Sequence, residues 1–253
     1  MTRRRFYAPS IAFDFDEKTV ILSADEARHA RDVLRLRGGD EIYVFDGAGK
    51  EFRCALREFV DNGAALDLKE EVEPTRPDSS LDLTLAIALL KGEKFDLVIQ
   101  KTVELGVRRV VPIISERAEL RLGDNKVEQK RVSRWRRIAL EAAKQCGRAR
   151  VPEVAAPVSV DSFLAEAKTH PPVRLFFAER DGKSLTEVIE TTIEHPRQIL
   201  TAVGPEGGWA DSEIEHAREA GWKIVTLGGR ILRAETAAIA VVTLLQHRFG
   251  DLN

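Results

Sequence analysis

Five runs in the second two-thirds of the chain are apolar almost throughout, at residues 81–89, 109–114, 173–178, 198–203 and 223–227. Segments of helical periodicity alternate with them, near 93–105, 126–146, 159–168, 184–191, 211–220 and 234–249. A strand that is apolar on both faces has to be covered on both faces. Crossover helices do this when the strands run parallel, so residues 81–253 are expected to form an α/β domain around a mostly parallel sheet. The first 72 residues follow another pattern, with short strand-like runs at 19–22, 41–45 and 51–56 separated by the turn signals Gly38-Gly39-Asp40 and Asp46-Gly47-Ala48-Gly49. One helix interrupts them. Ser23 with Glu26 three residues on is a capping-box start, and the helix is expected to reach about Leu36. Residues 73–80 hold Pro74 and Pro77 and lack periodicity, which marks them as a linker between a small β-rich domain (1–72) and the α/β domain.

Two of the parallel-type strands end in glycine-rich turns that lead directly into helices. The first turn is Gly204-Pro205-Glu206-Gly207-Gly208, and the second starts at Leu227-Gly228-Gly229 and continues as Arg230-Ile231-Leu232-Arg233-Ala234-Glu235-Thr236. Strand, bare turn and helix is how an α/β sheet presents unencumbered backbone to a ligand at its carboxyl edge. The spacing fits neither a P-loop, since no G-x-x-x-x-G-K-[ST] occurs, nor the dinucleotide fingerprint G-x-G-x-x-G. Taken singly, either segment could be an ordinary tight turn.

Composition narrows the class further. A net charge of −2 on 253 residues excludes a generally basic nucleic-acid binder, yet the charge is unevenly placed. Residues 126–150 hold nine Lys or Arg against two acids, with Lys130, Arg134, Arg137, Lys144 and Arg148 on one face of a helical wheel. Trp135, Ile138, Ala139, Ala142, Ala143 and Cys146 fall on the other face. A one-signed stripe of this kind suits phosphates, although basic helix faces are often no more than solvated surface. Cys54 and Cys146 stand far apart without ligand-spaced neighbours, so neither zinc nor a disulfide framework is expected, and no metal site is assigned. No apolar stretch approaches the roughly 20 residues of a membrane span, and the N-terminus lacks the apolar run of a secretory leader, so a cytoplasmic protein is expected.

GPEGG followed by LGGRILRAETA resembles the signature of the SPOUT methyltransferases, and of the RsmE family in particular. Further matches are Arg5-Phe6, His29 with Val33-Leu34-Arg35, Asp46-Gly47, Glu104-Leu105-Gly106-Val107, Arg134-Trp135 and Gln145-Cys146-Gly147-Arg148, in the same order along nearly the whole chain. One position departs: Ala210 stands where the family usually has Ser, three residues before Glu213, so the helix cap is expected from Asp211 or Ser212. The resemblance implies a PUA-like β-barrel that binds RNA, then a trefoil-knotted SPOUT domain that transfers a methyl group from S-adenosylmethionine to N3 of a uridine in 16S (small-subunit) ribosomal RNA. It also implies a homodimer through the knot and the final helix, which is apolar nearly all round from Thr236 to Leu245.

On these terms the cofactor pocket is expected from Phe177 and Ala178, from Val203, Gly204, Glu206, Gly207 and Gly208, and from Leu227, Gly228, Ile231, Leu232, Ala234, Thr236 and Ala237. Uridine N3 is protonated at neutral pH, so its proton must be accepted or its developing charge stabilised. Glu206, Glu235 and Arg233 are the candidates, with a loop-orienting role equally open for Glu206. N3 lies on the pairing edge, so the target base has to be unpaired and held by contacts around it. Arg3, Arg4, Arg5, His29, Arg31, Arg35, Lys91, Lys94, Lys130, Arg134, Arg148 and Arg150 are the candidate RNA contacts, and free ribosomal RNA and the assembled small subunit are both open as partners. A SPOUT enzyme acting on transfer RNA, or a non-catalytic ribosome-assembly factor, remain alternatives, though intact glycines in both loops argue against a decayed site.

Overall fold

The computed structural model describes residues 3–118, 125–166, 173–191 and 196–252. The chain divides into two compact units. One comprises residues 1–78 together with 143–151, and the other residues 79–142 and 152–253.

The N-terminal unit is built on a six-stranded sheet. Its strands are β1 (Arg5–Tyr7), β2 (Phe13–Asp14), β3 (Thr19–Ser23), β4 (Glu41–Phe45), β5 (Glu51–Val60) and β6 (Gly63–Val72), in the order β1-β4-β5-β6-β3-β2. Phe6, Val20, Leu22, Ile42, Val44, Cys54, Leu56 and Leu66 alternate inward along these strands and form the core. Burial pushes the Cys54 thiol up to about 12, with Asp67 adding to the effect, so it is an inert core side chain. Helix α1 (Ala24–Arg28) starts at Ser23, whose hydroxyl accepts from the Glu26 amide at 3.4 Å. The other half of the expected box is not made, because the Glu26 carboxylate takes Lys144 Nζ at 2.7 Å instead. A π-helical turn over His29–Val33 continues the helix.

Residues 73–78 do not behave as a loose linker. Thr75 donates its amide and hydroxyl to Glu51, and Asp78 holds both Arg148 and Arg150. Glu51 is fully buried and also receives Arg3 at 2.9 Å and Arg5 at 3.0 Å. Residues 143–151 thus belong with the N-terminal unit, an excursion that a linear division at 73–80 does not foresee.

The C-terminal unit holds β7 (Asp82–Ala88), α2 (Lys94–Glu104), β8 (Arg109–Ile114), α3 (Asn125–Cys146, its last turn counted with the other unit), β9 (Glu153–Val154), β10 (Val158–Ser159) and α4 (Val160–Glu166). It continues with β11 (Val173–Phe177), β12 (Lys183–Ser184), α5 (Leu185–Glu190), β13 (Gln198–Val203), α6 (Asp211–Glu219), β14 (Lys223–Thr226) and α7 (Ala234–Phe249). The end of the helix expected to reach residue 168 lies outside the described residues. All strand pairs are parallel, in the order β10-β8-β7-β13-β11-β14-β12, with β9 beside β8. Leu200 and Ala202 join the core under α4 and α6 with Phe163, Ile214 and Trp222. Strand alternation turns Ile199, Thr201 and Val203 to the opposite face, where α7 packs on β7 and β13 and against α2.

Candidate active site

The register of three neighbouring strands creates the site. Phe177 at the end of β11 is level with Val203 at the end of β13 and with Val225 near the end of β14. The three segments that follow therefore leave the same stretch of the sheet's carboxyl edge, where ligands of open α/β sheets bind. They enclose a pocket of about 440 Å³.

Twelve of the fourteen residues expected for the cofactor line this pocket: Phe177, Ala178, Val203, Gly204, Glu206, Gly208, Leu227, Gly228, Ile231, Leu232, Ala234 and Ala237. Gly207 and Thr236 do not line it. Five further wall residues escaped the sequence reading, namely Glu179, Pro205, Thr226, Gly229 and Arg230. Glu179 lies two residues beyond the end of β11 and Thr226 ends β14, so it is strand register, which the sequence does not show, that brings them to the pocket. Arg230 sits inside the motif, but its spacing alone gives it no role.

The glycines of the first loop answer to protein neighbours. A Cβ on Gly204 would lie 2.9 Å from Trp209 Nε1, and that indole cannot give way. It is buried, donates to the Phe177 carbonyl at 2.9 Å and packs on the Phe176 ring at 4.5 Å. Gly208 has φ +69°, and a Cβ there would meet the Glu179 carboxylate at 2.5 Å. Gly228 of the second loop differs, since a Cβ there would meet nothing within 4 Å and its backbone stands open.

Helix α6 starts at Ala210, which has no side-chain acceptor. Glu213 supplies half a cap by accepting from the Ala210 amide at 2.9 Å, and it also binds Ser115 Oγ at 3.1 Å and the Glu116 amide at 2.9 Å. The expected substitution by Asp211 or Ser212 is not what happens; Asp211 pairs with Arg180. Ala210→Ser completes the box and is expected to stabilise the unit by about 1 kcal/mol, read as a raised thermal midpoint. An unchanged or lowered midpoint would show that the buried position has no room for the hydroxyl.

The two loop glutamates share one cation. Lys94 Nζ lies 3.0 Å from Glu206 Oε1 and 3.8 Å from Glu235 Oε2. Burial raises the Glu206 carboxyl. The amides of Glu206 itself and of Lys91, together with the Lys94 ammonium, outweigh that and hold it below the usual carboxylate range. A carboxylate so supplied with donors is a poor proton acceptor, which favours the loop-orienting role for Glu206. Arg233 occupies the N-cap position of α7, is exposed, lines the pocket, and has no ion pair among the described residues.

A family model described as an RNA methyltransferase domain matches residues 77–246, and one described as an RNA methyltransferase PUA domain matches residues 22–58. The ribosomal RNA small subunit methyltransferase E of Synechocystis is 37% identical over 221 residues, covering 87% of this chain and 70% of that one. The chain belongs to the ribosomal RNA small subunit methyltransferase E family. A solved member from Neisseria gonorrhoeae, bound to S-adenosyl methionine, is 35% identical with a TM-score of 0.84 and full coverage of both chains. A Legionella pneumophila structure in complex with the cofactor SAM is 32% identical with a TM-score of 0.87, again over both full chains.

Within this family member the expected RNA contacts divide sharply. Arg5 is 8% exposed in its side chain and donates to Glu51 and to the carbonyls of Lys144 and Arg148. Arg148 is buried on Asp78, which also takes Arg150 at 3.0 Å. Lys94 is committed to the loop glutamates. Arg5, Arg148 and Lys94 thus hold protein groups in this structure, as Arg150 does on Asp78, Arg31 on Asp32 and Arg134 on Asp96. Arg3 is half-engaged, on Glu51 and over the Tyr43 ring at 4.6 Å. Arg4, His29, Arg31 and Arg35 are exposed on the N-terminal unit, and Lys91, Lys130 and Arg134 on the C-terminal one. The basic stripe is shorter than the wheel suggests: Arg134 pairs with Asp96, Lys144 with Glu26, and Arg148 lies beyond the helix end. Among the described residues no cluster of His, Cys, Asp or Glu could hold a metal ion, and no helix is long and apolar enough to cross a membrane.

Proposed function

We propose that the protein methylates N3 of a uridine in small-subunit ribosomal RNA with S-adenosylmethionine as cofactor. The observation that carries the reading is the convergence of both glycine-rich loops on one pocket, with the exposed Arg233 at its edge. The residues suit the cofactor: the volume falls in the range of small-molecule sites, and Phe177, Val203, Leu227 and Leu232 offer apolar walls to an adenine. The open backbone at Gly228 and Gly229 offers partners to its polar edge. Bound S-adenosylmethionine supplies an electrophilic methyl group.

The chain's own groups do the rest by placement and charge. Arg233 stabilises the negative charge that spreads onto the uridine carbonyl oxygens as the N3 proton leaves. Glu206, which lines the pocket, and Glu235, 12% exposed in the first turn of α7, are the two carboxylates that could accept that proton. Arg4, His29, Arg31, Arg35, Lys91, Lys130 and Arg134 hold the RNA backbone. The active form is a homodimer: Leu244 on α7 is 42% exposed one turn from partly covered Ala240, an apolar patch that a second copy would bury. A trefoil knot around the last two loops and a cytoplasmic location complete the proposal.

S-adenosylhomocysteine is expected to raise the thermal midpoint in a concentration-dependent way. No shift at millimolar ligand would remove the cofactor from the proposal.

A further inference from the structure

We infer that Lys94 is a positioning residue that ties the two glycine-rich loops to each other and sets the width of the pocket between them. The loops follow different strands and share no strand of their own, so something has to fix their separation. Lys94, the first residue of α2, stands where they meet: its ammonium takes Glu206 from the first loop at 3.0 Å and reaches Glu235, behind the second loop, at 3.8 Å. Glu235 is 12% exposed and Lys94 37% exposed, so the link to the second loop is the better shielded from solvent on its acidic side. Both loops line the pocket, Gly204, Glu206 and Gly208 from the first and Leu227 and Leu232 from the second. One cation thereby couples two walls that the sheet alone leaves independent. The affinity arm of the test rests on the S-adenosylmethionine reading, and the exchange arm does not.

The variants are Lys94→Met, which keeps the stem and removes the charge, and Lys94→Arg, which keeps the charge. Amide hydrogen exchange on the ligand-free protein is expected to rise in Lys94→Met at residues 204–208 and at 228–235 together, with the sheet unchanged. Glu235→Gln, which attacks the link from its other end, is expected to loosen the same two segments. With saturable turnover, KM for S-adenosylmethionine and Kd for S-adenosylhomocysteine rise about tenfold in Lys94→Met, as for a lost charged hydrogen bond. The value of kcat at saturation stays within about threefold, and Lys94→Arg restores affinity. Exchange rising in one loop or in neither would overturn the tie, as would a fall in kcat at unchanged KM. Absence of S-adenosylhomocysteine binding in the unmutated protein would instead overturn the cofactor, leaving the exchange result to decide on Lys94.

Discussion

Arg233→Ala is expected to lower kcat by about 10²–10³-fold, the cost of removing one donor aimed at developing charge, while S-adenosylhomocysteine affinity changes little. The geometry separates the two effects. Arg233 is exposed at the N-cap position of α7 and has no ion pair among the described residues, so its loss leaves no buried charge behind and the helix keeps its backbone start. The apolar walls at Phe177, Val203 and Leu232 are untouched. Steady-state kinetics beside ligand titration check this. Full activity in the variant would take Arg233 out of the chemistry, and lost affinity with intact kcat would make it a cofactor contact.

Glu51→Ala is expected to destabilise the N-terminal unit by about 3–5 kcal/mol, because it strands the buried Arg5 guanidinium. Glu51 is fully buried and accepts from Arg3, Arg5 and both donors of Thr75. Burial by itself raises the Glu51 carboxyl; the Thr75 amide, the Arg5 charge and hydrogen bond and the Thr75 hydroxyl outweigh it and leave the group below its ordinary 4.5. A carboxyl depressed in the folded state stabilises fully above its unfolded value and loses that contribution as pH falls through the folded value. Stability of the unmutated protein is therefore expected to fall below about pH 4.5 partly through this group, and Glu51→Gln to flatten that limb. Urea unfolding at pH 7 and pH 4 reads both. A loss under about 1 kcal/mol in Glu51→Ala would mean that Arg5 finds other partners.

The sheet was legible because its strands are apolar on both faces, and that pattern has few other solutions. β8 and β13 occur where the apolar runs place them, and α2, α6 and α7 within a residue or two of the periodic segments. Strand β6 was missed because Lys69, Glu70 and Glu71 occupy its exposed end, and a strand at the surface need not be apolar. The pocket was legible in its loops, where short motifs coincide with backbone that ligands approach. It was not legible in Glu179 or Thr226, which belong to the site only because β11, β13 and β14 end level with one another, a fact of register.

Charges were the least legible feature. A sequence shows Arg5, Lys94 and Arg148 as three cations near other cations. Their acidic partners Glu51, Glu206 and Asp78 lie 46, 112 and 70 residues away, so nothing local marks them as spoken for. Gly204 teaches a related lesson. It reads as room for a ligand, but the neighbour that forbids a side chain is Trp209.

The most direct measurement is methyl transfer itself: purified protein with labelled S-adenosylmethionine, offered small ribosomal subunits, naked small-subunit RNA and transfer RNA from cells lacking the activity, with nucleoside analysis of the products. The expected result is label as N3-methyluridine in small-subunit RNA, free or assembled, and none in transfer RNA. Label in transfer RNA alone, or at another position of the base, would contradict the proposed function.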